Sequence, residues 1–180
     1  MRTATQRSIA VLGMALAVAV TLTALSRNVV AQEDENFTQI ALTDAQIENF
    51  IAAQKDMNAI IAAAPQGDQP DPKVVDQLDA AAKKYNFASY AEFDDVGENV
   101  GLIMSGIDPD TKKYVGPDAV IKKEIASLDS ENRPPSDKKE QLDELQSELK
   151  TPAEPVKFPA NIDLVVKNFD RLNAAMQPPQ

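Results

Sequence analysis

Residues 108–118 read DPDTKKYVGPD and place three carboxylates, Asp108, Asp110 and Asp118, in one short connecting stretch. Stretches rich in oxygen ligands hold calcium when they follow the EF-hand spacing, with glycine at the sixth position for a sharp turn and a bidentate glutamate at the twelfth. Counted from Asp108, the fifth, sixth and twelfth positions are Lys112, Lys113 and Ala119. The spacing fails, and a turn in which Asp108 and Asp110 accept neighbouring N–H groups accounts for the residues, so no metal site is expected. Asp94 and Asp95 are adjacent in the chain. Successive helical residues point about 100° apart, so the two do not converge on one proton. Histidine and cysteine are absent, which removes the usual base for a hydroxyl nucleophile and the thiolate itself. No serine stands in G-x-S-x-G, and no G-x-x-x-x-G-K phosphate loop occurs. The expectation is a protein that is not an enzyme and carries no cofactor.

The stretch KKYNFASYAEF gathers Tyr85, Phe87, Tyr90 and Phe93, four of the nine aromatic residues. Rings at this density line pockets for apolar ligands or exposed peptide segments, and these four are the candidate binding residues. The competing account is the corner of a core, because aromatic side chains dominate core burial. Further on, Gly97 and Gly101 stand four apart in GENVG and share one side of a helix. Each interior glycine costs roughly 0.5–1 kcal/mol relative to alanine, so the pair implies close approach of another helix. Glu98 and Asn99 between them argue against a lipid-facing dimer motif.

These residues are carried by a succession of amphipathic segments. Thr43 precedes Gln46 by three, a capping box, and Ile47, Phe50, Ile51, Met57, Ile60 and Ile61 follow at helical spacing. A helix over 44–63 is predicted, ended by Pro65 and the PQGDQPDP stretch. Asp71-Pro72 caps and opens a second helix over 72–85, with Asn86 in the left-handed closing position. Ser89 and Glu92 form another capping box before Phe93, Val96, Val100, Ile103 and Met104, and Gly106 stops that helix. Pro117-Asp118 begins a fourth helix, Ser136 caps a fifth with a thin leucine stripe, and Asn161 caps a sixth. No segment shows sustained alternation of period two. The fold class expected is all-α: a single domain of five to six short helices in an irregular bundle, over 42–176, with a disordered tail at 177–180.

The chain begins with Arg2 and Arg7 and an apolar run from Ile9 to Leu25, and Val29-Val30-Ala31 precede an acidic stretch. This is the pattern of an export leader removed after residue 31, followed by a flexible acidic lead-in at 32–41. The remaining 149 residues hold 15 basic against 28 acidic side chains, a net charge of −13. That excess repels phosphate backbones and anionic lipid surfaces, so neither nucleic acid nor peripheral membrane binding is expected, and no stable membrane anchoring once the leader is cleaved, a retained N-terminal anchor being the alternative. Without cysteine, packing alone must hold an exported fold of this size.

Leu42-Thr43-Asp44-Ala45-Gln46 has the form LTxxQ and resembles the signature of the CpxP/Spy family of periplasmic stress chaperones, all-helical proteins that cradle unfolded clients. The family shows the motif twice and offers a basic cradle; this chain has one copy and is acidic. From Tyr85 to Gly116, and at Asn161-Ile162-Asp163-Leu164-Val165, the chain is similar to small exported bacterial helical proteins of unassigned activity. The resemblance implies a periplasmic or secreted protein acting on protein partners, chaperone-like in envelope stress. The alternative expectation is a carrier of a small apolar ligand at the Tyr85–Phe93 corner.

Overall fold

A computed structural model describes residues 37–65, 71–128 and 134–177. The expected leader, residues 32–36 of the lead-in and the tail from 178 lie outside the described residues. Among the described residues seven helices follow in order: α1 Asp44–Ala63, α2 Pro72–Lys84, α3 Tyr90–Met104, α4 Pro117–Leu128, α5 Pro135–Glu148, α6 Ala160–Lys167 and α7 Phe169–Met176. Between α3 and α4, β1 Ile107–Asp108 pairs antiparallel with β2 Lys113–Tyr114, Ile107 opposite Tyr114. The molecule is therefore mostly helical, with one two-residue ribbon that lies below the length at which side-chain alternation can be read. No helix among the described residues is long and apolar enough to cross a membrane.

Local chemistry explains most helix ends. Thr43 Oγ1 accepts from Gln46 N, and Gln46 Oε1 accepts from Thr43 N, completing the capping box of α1. Asp71 caps α2 by accepting from Lys73 N, and Asn86 closes it at φ 65°. Ser89 caps α3, but Glu92 accepts from Ala88 N rather than from the cap residue. Two expected caps are not caps. Pro134 precedes α5, so Ser136 falls inside the first turn and donates to Asp137 instead. Asn161 likewise lies one residue inside α6, and its carboxamide is engaged elsewhere.

The predicted sixth helix divides at Asn168, whose backbone sits at φ −105° and ψ 9°. Its side chain donates to Leu164 O and accepts from Arg171, local bonds that compete with a continuous helical ladder.

The core is assembled by α1, α2, α3, α6 and α7, with Ile47, Phe50, Met57, Leu78, Phe93, Val96, Val100, Ile103, Val165 and Leu172 buried together. Gly97 meets the expectation of close packing, because a β-carbon there would lie 3.1 Å from Phe50 Cε2 on α1. Gly101 does not, having nothing within 4 Å of that position. Gly106 is required for a different reason. Its carbonyl accepts from both Val115 N and Gly116 N, and a β-carbon would press into the Tyr114 ring, 2.9 Å from Cζ. Beyond this ribbon, α4 and α5 pack on each other and bury only Leu128 and Leu145, neither of which joins the main core.

Candidate functional site

Residues 37–41 do not form the mobile lead-in expected of them. They run extended across the body, held by carboxamides on the strap and on the body. Asn99, buried in the middle of α3, accepts from Ile40 N at 3.0 Å and donates to Thr38 O at 3.0 Å. A further bond from its Nδ2 to Asp95 O, 2.8 Å, fixes the orientation of the amide on its own helix. Asn161 of α6 repeats the arrangement two residues on, accepting from Leu42 N at 2.9 Å and donating to Ile40 O at 2.8 Å. The strap answers with Gln39. Its side chain donates to Pro155 O and Glu154 Oε1 and accepts from Lys157 N, binding the proline-rich stretch before α6. Ile40 and Leu42 rest half-buried against the core.

Lined in part by the same proline-rich stretch is an open groove of about 390 Å³. Leu102 and Ser105 from the end of α3, Pro117, Asp118 and Ile121 from the start of α4, and Glu148, Thr151, Pro152, Ala153 and Glu154 line it. A second hollow, which shares Pro117, Asp118, Pro152 and Ala153 with it, is lined also by exposed Val115 and Lys122. Leu102, Pro117, Ile121, Pro152 and Ala153 make the lining apolar, whereas Asp118, Glu148 and Glu154 add acidic groups. Glu154 belongs both to this groove and to the contact with Gln39.

Three of the four aromatic candidates, Phe87, Tyr90 and Phe93, are brought together, though not around a space. Phe93 is buried and receives three rings: Phe50 stacked at 5.0 Å, Phe87 edge-on at 5.4 Å and Tyr90 stacked at 5.9 Å. Phe87 is buried too. Burial, with the nearby Asp94 carboxylate, pushes the Tyr90 phenol up to about 12. Tyr85 turns away, its hydroxyl donating to Asp56. Together with Lys84, which bonds the same carboxylate at 2.6 Å, it holds Asp56 below the usual carboxylate range. This corner is a packed core corner, so the sequence signal for a ligand pocket is the signal for ring-on-ring packing.

The aspartate stretch is a turn with its own cation. Asp108 Oδ1 accepts from Asp110 N and Thr111 N, while its Oδ2 accepts from Lys123 Nζ at 2.7 Å. Lys123 also bonds Asp110, which therefore takes an ammonium and not the local N–H expected. Led by the lysine, these bonds depress the Asp108 carboxyl to about 2. Asp118 stands apart, in the groove wall. The Ser-x-x-Lys spacing, which the sequence reading passes over, occurs at Ser136–Lys139 within α5 and at Ser147–Lys150, which runs past its end. All four residues are exposed, and in the first pair Ser136 donates to Asp137 and Lys139 pairs with Asp143, so Ser136 is not presented to a lysine base.

Asn99, Asn161 and Gln39 are what the sequence reading misses as contact residues. A mid-helix asparagine in an apolar face is the one signal that points to Asn99, since it demands a buried partner. Comparison of the chain with protein families, with curated proteins and with solved structures finds no match.

Proposed function

We propose that this chain is an exported, non-catalytic helical protein that works by protein interaction, holding exposed apolar segments of client chains in the periplasm. The groove between α4 and residues 148–154 carries the reading. Its apolar lining suits aliphatic side chains, and its wide mouth suits a passing chain more than an enclosed small molecule. Asp118, Glu148 and Glu154 on its walls, with the acidic excess of the whole chain, favour clients whose apolar segments are flanked by lysine or arginine. The leader pattern of residues 1–31 and the LTxxQ resemblance support the same setting.

The test is aggregation of an unfolded basic protein, followed by light scattering with the exported chain added at near-stoichiometric ratio. Slowed aggregation is expected, and Ile121→Asp, placed in the groove wall, should abolish it while leaving the helical circular dichroism unchanged. Failure of the unaltered chain to slow aggregation would remove the proposal's support.

A further inference from the structure

A side-chain carboxamide carries the same C=O and N–H as a peptide unit, and Asn99 and Asn161 use theirs as a neighbouring strand would. Asn99 takes the carbonyl of Thr38 and the N–H of Ile40, and Asn161 takes the carbonyl of Ile40 and the N–H of Leu42. All four bonds are to backbone, so they read extended conformation and not side-chain identity. Selectivity comes from what stands beside them. Ile40 and Leu42 are seated on the core, Thr38 and Ala41 are exposed, and Gln39 reaches across to residues 154–157. Asn99 is 1% and Asn161 4% exposed, so neither tolerates the loss of a backbone partner cheaply. The Thr43–Gln46 capping box that opens the following helix is made between those two residues alone and draws on none of the strap's bonds.

We propose that Asn99, Asn161 and the 154–157 stretch form a peptide-binding groove, that residues 38–42 are its resident occupant, and that an extended segment of a client chain with apolar side chains two residues apart takes their place. The inference deepens the client-holding reading and rests on it. Because Glu154 borders both grooves, a bound segment continues from this one into the open groove beside α4. A tethered occupant competes at high effective concentration, so exchange is visible only with excess peptide or a weakened strap.

The probe is a capped peptide of residues 37–42, FTQIAL, with a photoreactive diazirine replacing the final leucine, and FTQAIL, its apolar pair shifted together, as control. Added in excess to the unaltered chain and irradiated, FTQIAL should label residues flanking Asn99 or Asn161, mapped by mass spectrometry, and FTQAIL should not. In the full chain carrying Gln39→Ala, which deletes the strap's three side-chain bonds, labelling should rise about tenfold. Absence of labelling in these segments, or equal labelling by the two peptides, overturns the groove; the unaltered chain alone suffices for this should Gln39→Ala fail to fold. Labelling without slowed client aggregation retains the groove and rejects client holding, whereas slowed aggregation without labelling does the reverse.

Discussion

Replacing Asn99 by alanine is the sharpest test of the strap, and its cost can be worked from the contacts. The substitution deletes the bonds to Ile40 N and Thr38 O, about 1 kcal/mol each. The Thr38 carbonyl, on an exposed residue, regains water, but the Ile40 N–H is left half-buried and adds about 1–2 kcal/mol. Alanine returns roughly 0.6 kcal/mol of helix propensity at this interior position of α3. The net expectation is a loss of about 2–4 kcal/mol, or a melting temperature lowered by on the order of 6–12 °C for a domain of this size. Urea unfolding followed at 222 nm measures the first, and amide exchange at Ile40 and Leu42 shows whether the strap itself has opened. Asn99→Asp is the companion variant. Its introduced carboxyl would be buried against the Thr38 and Asp95 carbonyls, which raises its folded pKa above the unfolded value near 4. The native state then binds the extra proton, so this variant's deficit should be greatest at pH 7 and shrink as pH falls toward 4. A change below about 0.5 kcal/mol for Asn99→Ala, with strap amides still protected, would refute the account of the carboxamides as the fastening of residues 38–42.

Phe93→Ala should cost about 3–5 kcal/mol in urea unfolding, because it removes the ring on which Phe50, Phe87 and Tyr90 converge; a neutral result together with loss of a copurifying ligand would restore the pocket reading. Gly106→Ala should destabilise by about 1–3 kcal/mol through the Tyr114 ring, whereas Gly101→Ala, with open space at its β-position, should stabilise by about 0.5–1 kcal/mol, both read from thermal melts. Because Lys123 and two backbone N–H groups depress the Asp108 carboxyl to about 2, its contribution is complete above pH 4 and is lost as pH falls toward 2. Lys123→Met should therefore move the acid-unfolding midpoint upward in pH, and Asp108→Asn should remove this part of the acid dependence; an unchanged midpoint in Lys123→Met would contradict the assignment.

The α4–α5 pair and the strap show different ways of attaching a segment to a core. The strap is fastened by buried amides that need backbone partners, and it adds Ile40 and Leu42 to the main cluster. The pair instead packs on itself, borders β1, and gains the Lys123 bonds to Asp108 and Asp110. Its half-buried Ile121 is thereby left to line the groove on which the proposed client holding rests.

The sequence by itself determined the helix over 44–63, the start of the helix at Pro117 and the left-handed Asn86, because caps, prolines and apolar periodicity act within a turn or two of the residue concerned. It also placed Tyr85 to Phe93 at one corner, without deciding between a pocket and a core. That choice needed Phe50, which reaches Phe93 from another helix and fills the space. Asn161 looks like a cap because asparagine before an apolar run is the local signature of one, yet its amide serves Ile40 and Leu42, which lie 121 and 119 residues earlier. Only the tertiary structure decided that Asn99, Asn161 and Gln39 fasten the strap. A carboxamide bonds equally well to its own helix end or to a distant backbone, and burial at the chain crossing selects the partner that leaves no amide unpaired.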